Sequence, residues 1–251
     1  MKSEKLQFEG SDGDLLTGQF DQPEGDRKAC ALFAHCFTCT RNLKAVGNIA
    51  KALTSRGIAV FRFDFTGLGE SEGDFADTNF SSNVMDLIAA ARYMSDRWSS
   101  PSILAGHSFG GSAVLRAAHS IADVRAVVTI AAPHDPRHVE RLLVSGRDEI
   151  EREGVARVSI GGREFTMRKQ FLEDLESSSS DSKISALDKA LLVMHSPVDN
   201  IVGIDNAAGI FKAAKHPKSF ISLDDADHLL MNERDSRYAG SMVAAWAERY
   251  L

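Results

Sequence analysis

Six short apolar runs, separated by stretches with helical spacing, constrain the fold of this chain more than any other feature. Ala29 to Ala34, Ile58 to Phe63, Ser102 to Ala105, Val124 to Ala131, Ala190 to Met194 and Ser219 to Leu223 have the length and composition of strands buried on both faces. Between them, Leu43, Val46, Ile49, Ala50 and Leu53 recur at helical spacing. So do Phe80, Val84, Leu87, Ile88 and Ala91, then Ile204, Ala207, Ala208, Phe211 and Ala214, and finally Tyr238, Met242, Ala245, Trp246 and Tyr250. These stripes are core-facing. Alternation of this kind predicts an α/β architecture in which a mostly parallel sheet is covered by helices on both faces. Leu6-Gln7-Phe8 and Leu15 to Phe20, joined by Ser11-Asp12-Gly13-Asp14, predict an antiparallel N-terminal hairpin at the sheet's edge.

The 251 residues, 43% of them hydrophobic, are read as one domain spanning 1–251. One stretch breaks the alternation. Residues 134–187 are charged, carry Gly161-Gly162 between two short runs and end in the polar segment Ser177-Ser178-Ser179-Ser180-Asp181-Ser182. They are read as an insertion, expected to be a lid: helices near Pro136 to Glu153, a small hairpin about Gly161-Gly162, a helix near Arg168 to Glu176, then a polar loop.

Charge and composition remove several classes of function. With 29 basic against 35 acidic residues and no dense Lys/Arg block, nothing is arranged to neutralise a run of phosphates, so no nucleic-acid partner is expected. The start, Met1-Lys2-Ser3-Glu4-Lys5-Leu6, has no apolar stretch after its charges, and no segment approaches a membrane span. A cytoplasmic location with no membrane partner is the expectation. Three cysteines, an odd number, argue against a disulfide framework, and Cys36 and Cys39 are read as reduced thiols in a turn rather than as a redox pair. Cys-x-x-Cys alone lacks the second ligand pair of a zinc site, so no metal is expected.

The local signal for chemistry is Gly106-His107-Ser108-Phe109-Gly110-Gly111, which follows Ser102-Ile103-Leu104-Ala105 and precedes the helix-prone run Ser112 to Ala118. A serine at a tight strand-to-helix turn holds its Oγ clear of the sheet, and flanking glycines let the backbone bend. A hydroxyl is a poor nucleophile near neutral pH, so it needs a base and a group to orient that base. Searching in the order nucleophile, acid, base gives Asp199, just after the run Leu191 to Met194, and His228, just after Phe220 to Leu223. Asp224, Asp225 and Asp227 crowd the histidine and compete as the acid. His107 is read as packing or a support behind the site, His35 as a tie between loops, and His119, His134, His138, His195 and His216 as surface or structural residues. Phe37, at the exit of the first buried run, and Phe109, after the nucleophile, are the expected backbone N–H donors of an oxyanion hole.

Four segments carry a family resemblance: Ala34-His35-Cys36-Phe37-Thr38-Cys39, Phe63-Asp64-Phe65-Thr66-Gly67-Leu68-Gly69-Glu70-Ser71-Glu72-Gly73, Gly106 to Gly111, and Met194-His195-Ser196-Pro197-Val198-Asp199. The chain resembles the α/β-hydrolase superfamily, and along essentially its whole length it is similar to the hydrolase half of bacterial proteins in which such a domain is fused to an OsmC-type module. The resemblance implies an eight-stranded core with a cap after strand six, a Ser108-Asp199-His228 triad, and cofactor-free hydrolysis of short-chain or cinnamoyl-like acyl esters. Thioester cleavage, peptide cleavage at a chain end and perhydrolysis use the same triad, and a non-catalytic binding module is the remaining alternative. Phe165, Met167, Phe171 and Leu172, the apolar side chains of a charged segment, are expected to line the acyl pocket. Cys36, where the superfamily usually has glycine, is expected to place a free thiol near the pocket wall. The exposed edge of the hairpin, or the cap, could pair two chains as a homodimer.

Overall fold

The computed structural model describes residues 1–178 and 181–251. Eight strands form one sheet: β1 (Lys2–Glu9), β2 (Leu15–Gln22), β3 (Ala29–Ala34), β4 (Ile58–Phe63), β5 (Ile103–His107), β6 (Ala126–Ile130), β9 (Ala190–His195) and β10 (Lys218–Ser222). Their spatial order is β1-β2-β4-β3-β5-β6-β9-β10. The β1–β2 and β2–β4 pairings are antiparallel, and all others are parallel. Four helices connect the parallel strands, α1 (Lys44–Thr54), α2 (Phe80–Arg97), α3 (Phe109–Ala117) and α7 (Asp205–Ala213), and α8 (Glu233–Ala247) follows the last strand.

The pleat divides the core in two. Along β3 and β4, Cys30, Leu32, Ala34, Ala59, Phe61 and Phe63 face one layer, which α2, α3 and α7 cover. Ala31, Phe33, Ile58 and Val60 face the other, under α1 and α8. Strands that are apolar on both sides are buried on both sides, so the continuous apolar runs translate directly into the parallel centre of the sheet. The last run differs. β10 is an edge strand, half-exposed along its length with Phe220 44% accessible, so only one neighbour and partial cover shield it. At the opposite edge β1 carries Lys2, Glu4 and Lys5, charges of the kind that keep an unpaired edge from recruiting another strand.

Between β6 and β9 lies the inserted segment. It holds a 3₁₀ helix (Pro136–Leu142), α4 (Arg147–Glu153), an antiparallel hairpin of β7 (Val155–Ile160) and β8 (Arg163–Arg168), α5 (Lys169–Ser177) and α6 (Asp181–Ser185). The helices expected near Pro136 to Glu153 are present as two, separated at Val144-Ser145-Gly146, where poor helix formers meet and a side chain on Gly146 would stand 2.4 Å from Val158 Cγ1. Of the expected polar loop, Ser179 and Ser180 lie outside the described residues, and its end is the start of α6. Asp135 caps the 3₁₀ helix at the Arg137 N–H, ahead of Pro136 in the first turn. Polar side chains tie the segment to the helix it overlies: Gln170 Oε1 accepts from Asn79 Nδ2 at 2.7 Å, and Asp174 accepts from the Ser81 hydroxyl at 2.6 Å.

Candidate active site

Ser108 sits between β5 and α3 with φ 54° and ψ −125°, a backbone conformation costly for a residue with a side chain. The strain is confined by close packing rather than absorbed by the neighbouring glycines, neither of which has positive φ. A Cβ on Gly106 would meet Gly110 O at 2.3 Å, and one on Gly110 would meet His35 O at 2.4 Å. Those glycines are there for want of a side chain, so that β5, α3 and the loop after β3 can touch. The Ser108 N–H donates to Ile130 O on β6 at 2.8 Å, and the Gly111 N–H donates to Ser108 O at 2.8 Å, so backbone bonds hold the turn.

Residues far apart in the chain meet at this serine. His228, in the loop after β10, has Nε2 3.0 Å from Ser108 Oγ and Nδ1 2.7 Å from Asp199 Oδ2. A carboxylate only accepts, so Nδ1 carries the proton and Nε2 is left to accept from the serine hydroxyl. Asp199, in the loop after β9, uses its other oxygen to accept the N–H groups of Ile201 and Val202, each at 2.9 Å. Burial pushes the Asp199 carboxyl up, but the hydrogen bonds from His228, Val202 and Ile201 outweigh it and hold the group below its ordinary value. Two of the three rival carboxylates are occupied elsewhere. Asp225 pairs with Arg234 at 3.1 Å, and Asp227 accepts the Leu229 and Met231 N–H groups at 2.9 and 3.1 Å. Asp224 offers its backbone carbonyl to Ser196 at 2.9 Å.

Two histidines act behind this line. His107 donates from Nε2 to the backbone carbonyl of His228 at 2.7 Å, fixing the loop that carries the imidazole. Its burial, with the neighbouring His228 adding to it, depresses its pKa to about 3, so it stays neutral. His195, read from sequence as surface or structural, is fully buried and donates from Nε2 to Val202 O at 2.7 Å. It thereby steadies the turn whose N–H groups hold Asp199. The missed signal was its position as the last residue of a strand, one turn before the acid.

The loop after β3 is the third part. His35 donates from Nδ1 to Cys36 O at 2.8 Å and accepts from the Phe65 N–H at 3.4 Å, tying the exits of β3 and β4 together as the sequence suggested. Asp64 accepts the Arg41 N–H at 2.6 Å and pairs with the Arg41 guanidinium, both nearly inaccessible. Phe37, between these anchors, packs its ring on Phe75, Phe109 and Phe171. Among the described residues neither the Phe37 nor the Phe109 N–H has a hydrogen-bond partner, and both residues border the cavity at Ser108.

Two expectations are corrected here. Cys36 and Cys39 are joined by a disulfide, with Cα atoms 5.3 Å apart, and the free buried cysteine is Cys30. An odd count only guarantees one thiol left over; it does not forbid a local bridge. Thr38 at φ 60° and the Cys39 N–H to Cys36 O bond of 3.1 Å fold the loop back and bring the two cysteines within bonding range. Nor is the pocket where it was expected. The cavity over Ser108 is about 50 Å³ and is lined by Phe37, Phe109, Pro133, His138, Val139, Arg141, Leu142, Ile201 and Val202. Cys36, Phe165, Met167, Phe171 and Leu172 are buried outside that lining. Phe171 backs Phe37 and Phe109, and Phe165 backs Phe75, so the apolar side chains of the hairpin and α5 support the wall from behind. From the inserted segment the wall takes only residues of the 3₁₀ helix, where His138 donates from Nε2 to Ile201 O at 2.9 Å.

Residues 26–152 match the family model Hydrolase_4, described as serine aminopeptidase, S33. The chain belongs to this hydrolase family. It is similar over 100% of its length, and 99% of the other chain, to the esterase domain of a Rhodothermus marinus protein, with 44% identity and a TM-score of 0.81. Est1E from Butyrivibrio proteoclasticus, solved with ferulic acid bound, matches with a TM-score of 0.81 over 98% of each chain at 16% identity, a likeness of fold. YfhR of Salmonella typhimurium, an uncharacterised protein, is 24% identical over 91% of this chain and 75% of its own length. The α/β-hydrolase fold anticipated from the sequence is therefore the family's fold; the OsmC fusion has no counterpart among these similarities. No helix among the described residues is long and apolar enough to cross a membrane.

Proposed function

We propose that the protein is a serine carboxylesterase, with Ser108 as nucleophile, His228 as base and Asp199 as the acid that orients it. The observation that carries this reading is the unbroken line from Ser108 Oγ through His228 to Asp199, at 3.0 and 2.7 Å, starting on a serine held at positive φ. In the acylation step, Oγ attacks the ester carbonyl as its proton passes to His228 Nε2, and Asp199 stabilises the resulting imidazolium. The Phe37 and Phe109 N–H groups receive the developing oxyanion. His228 then protonates the departing alcohol, and the same histidine activates water to hydrolyse the acyl-enzyme. No cofactor is needed for any step.

The small apolar cavity favours short acyl groups in this conformation; pockets that enclose a drug-sized ligand run to roughly 300 Å³ or more. Larger acyl groups, including the cinnamoyl type suggested by the ferulic acid held in Est1E, require the 3₁₀ helix of the inserted segment to move, and we assign that segment the role of a lid. A second reading, peptide cleavage at a chain end, is favoured by the description of the family model. The test is hydrolysis of 4-nitrophenyl esters of increasing acyl length, of a feruloyl ester and of aminoacyl 4-nitroanilides, by wild type and Ser108→Ala. Turnover of short esters that disappears in Ser108→Ala supports the esterase; turnover confined to the anilides replaces it with the peptidase.

A further inference from the structure

The cavity over Ser108 is mostly apolar; besides the serine its polar lining residues are His138, whose Nε2 is taken up by Ile201 O, and Arg141, its one cation. The same residue, which is exposed, also borders an open, charged cleft of about 510 Å³, so it lies where the cavity meets solvent. Two other guanidinium groups in that cleft are already neutralised. Arg137 pairs with Asp135 at 2.5 Å, and Arg147 pairs with Glu140 and, at 2.9 Å, with Glu151. Arg141 makes no ion pair and no side-chain hydrogen bond among the described residues. Glu176 lies in the cleft but not in the lining of the Ser108 cavity.

An uncompensated guanidinium beside a catalytic serine, in a protein of net charge −6, is informative. The overall field of such a protein disfavours anions, so an anionic substrate needs a local cation to reach the site. A guanidinium fork matches a carboxylate with two parallel hydrogen bonds, and an adjoining apolar wall of Val139 and Leu142 limits the water that competes for them. We propose that Arg141 sets specificity for esters that carry a carboxylate close to the scissile bond, the apolar part of the substrate filling the cavity and the carboxylate lying at its mouth. The proposal rests on the esterase reading of the same site.

The test uses matched ester pairs that differ in charge and little else. Mono-4-nitrophenyl adipate against 4-nitrophenyl hexanoate places the carboxylate on the acyl side, and 4-acetoxybenzoate against 4-methylphenyl acetate places it on the leaving group. Wild type is expected to favour the anionic member of at least one pair by roughly three- to tenfold in kcat/KM, with the difference in KM, as suits a pair at an exposed lip. Arg141→Gln should abolish that preference, Arg141→Lys should retain part of it, and roughly 0.5 M salt should narrow it. Arg249→Gln, removing an exposed cation in the C-terminal turn, should leave the ratio as it is. The proposal is overturned if wild type favours the neutral ester in both pairs or treats them alike, or if Arg141→Gln keeps the preference. Hydrolysis of the neutral esters reports separately on the esterase reading: turnover without charge discrimination defeats only the role of Arg141, whereas no turnover of any ester defeats both.

Discussion

The sheet with its loops and the inserted segment hold their side chains in place by different means. Ser108, Asp199 and His228 are fixed largely through backbone: the Ser108 N–H to β6, two N–H groups to Asp199, and the His228 carbonyl bonded by His107. The inserted segment is held by side chains, through the Phe171 ring on Phe37 and Phe109 and the polar contacts of Gln170 and Asp174. Backbone bonds resist changes of side chain, so the first region should lose chemistry before it loses structure. Side-chain docking does not, so the second should lose structure along with specificity.

The sharpest break in that comparison comes at Asp199. Asp199→Asn should lower kcat by on the order of a thousandfold or more while KM changes little, because the amide no longer stabilises the imidazolium and favours the wrong tautomer. Thermal unfolding should shift only modestly. A fully active Asn variant would move the acid to Asp224, Asp225 or Asp227. Phe171→Ala should behave in the opposite manner. This side chain is 1% exposed, and its removal should cost about 3–5 kcal/mol in denaturant unfolding and loosen the wall behind Phe37. Unchanged stability with an altered acyl-length profile would restore Phe171 to the pocket lining.

Acid should act on the first region. His107, held down to about 3 by burial, stays neutral in the fold, whereas an unfolded imidazole takes up a proton near pH 6.5. Between those values the unfolded state binds more protons, so the contribution of His107 is fully present above about pH 6.5 and is lost as pH falls toward 3, by at most about 1.4 kcal/mol per pH unit. His35 and His195 are likewise lowered by burial and add in the same direction. Denaturant unfolding from about pH 6.5 to 5 should show a shallower slope for His107→Gln than for wild type; identical slopes would mean that His107 is protonated in the fold. The smallest effect concerns the junction of the two regions. The bridge between Cys36 and Cys39 brackets Phe37, and Arg163 of the inserted hairpin donates to Thr38 O at 3.1 Å. Reduction should lower kcat a fewfold without unfolding the sheet, and the Cys36→Ser/Cys39→Ser double variant should match the reduced enzyme and ignore reductant. A reductant effect that persists in the double variant would place it elsewhere.

The same contrast decides what could be read from the chain alone. All eight sheet strands, the connecting helices and the three residues of the Ser-His-Asp line were legible, because each has a local signature: an apolar run, a helical stripe, or a position just beyond a strand. The order of elements in the inserted segment was legible as far as α5, from Gly161-Gly162 and its flanking runs, whereas α6 lies where a polar loop was expected. Which of its residues face Ser108 was not. Phe165, Met167, Phe171 and Leu172 are apolar because they are buried, and burial against Phe37 and Phe75 looks in sequence like burial in a pocket. The true lining drew on Ile201 and Val202 from the acid loop and on Leu142 and Arg141 from a 3₁₀ turn, none of which has a distinguishing pattern. The Cys36–Cys39 bridge depended on Thr38 adopting positive φ, which no residue type there announces.

The central claim is that Ser108 is a nucleophile activated by His228, and a fluorophosphonate ester tests it directly. Treated protein should gain one phosphonyl group, peptide mass mapping should locate it on Ser108, and ester hydrolysis should fall in proportion to labelling. The Asp199→Asn protein should label far more slowly at the same serine. Labelling on another residue, or ester hydrolysis that survives complete modification of Ser108, would contradict the account.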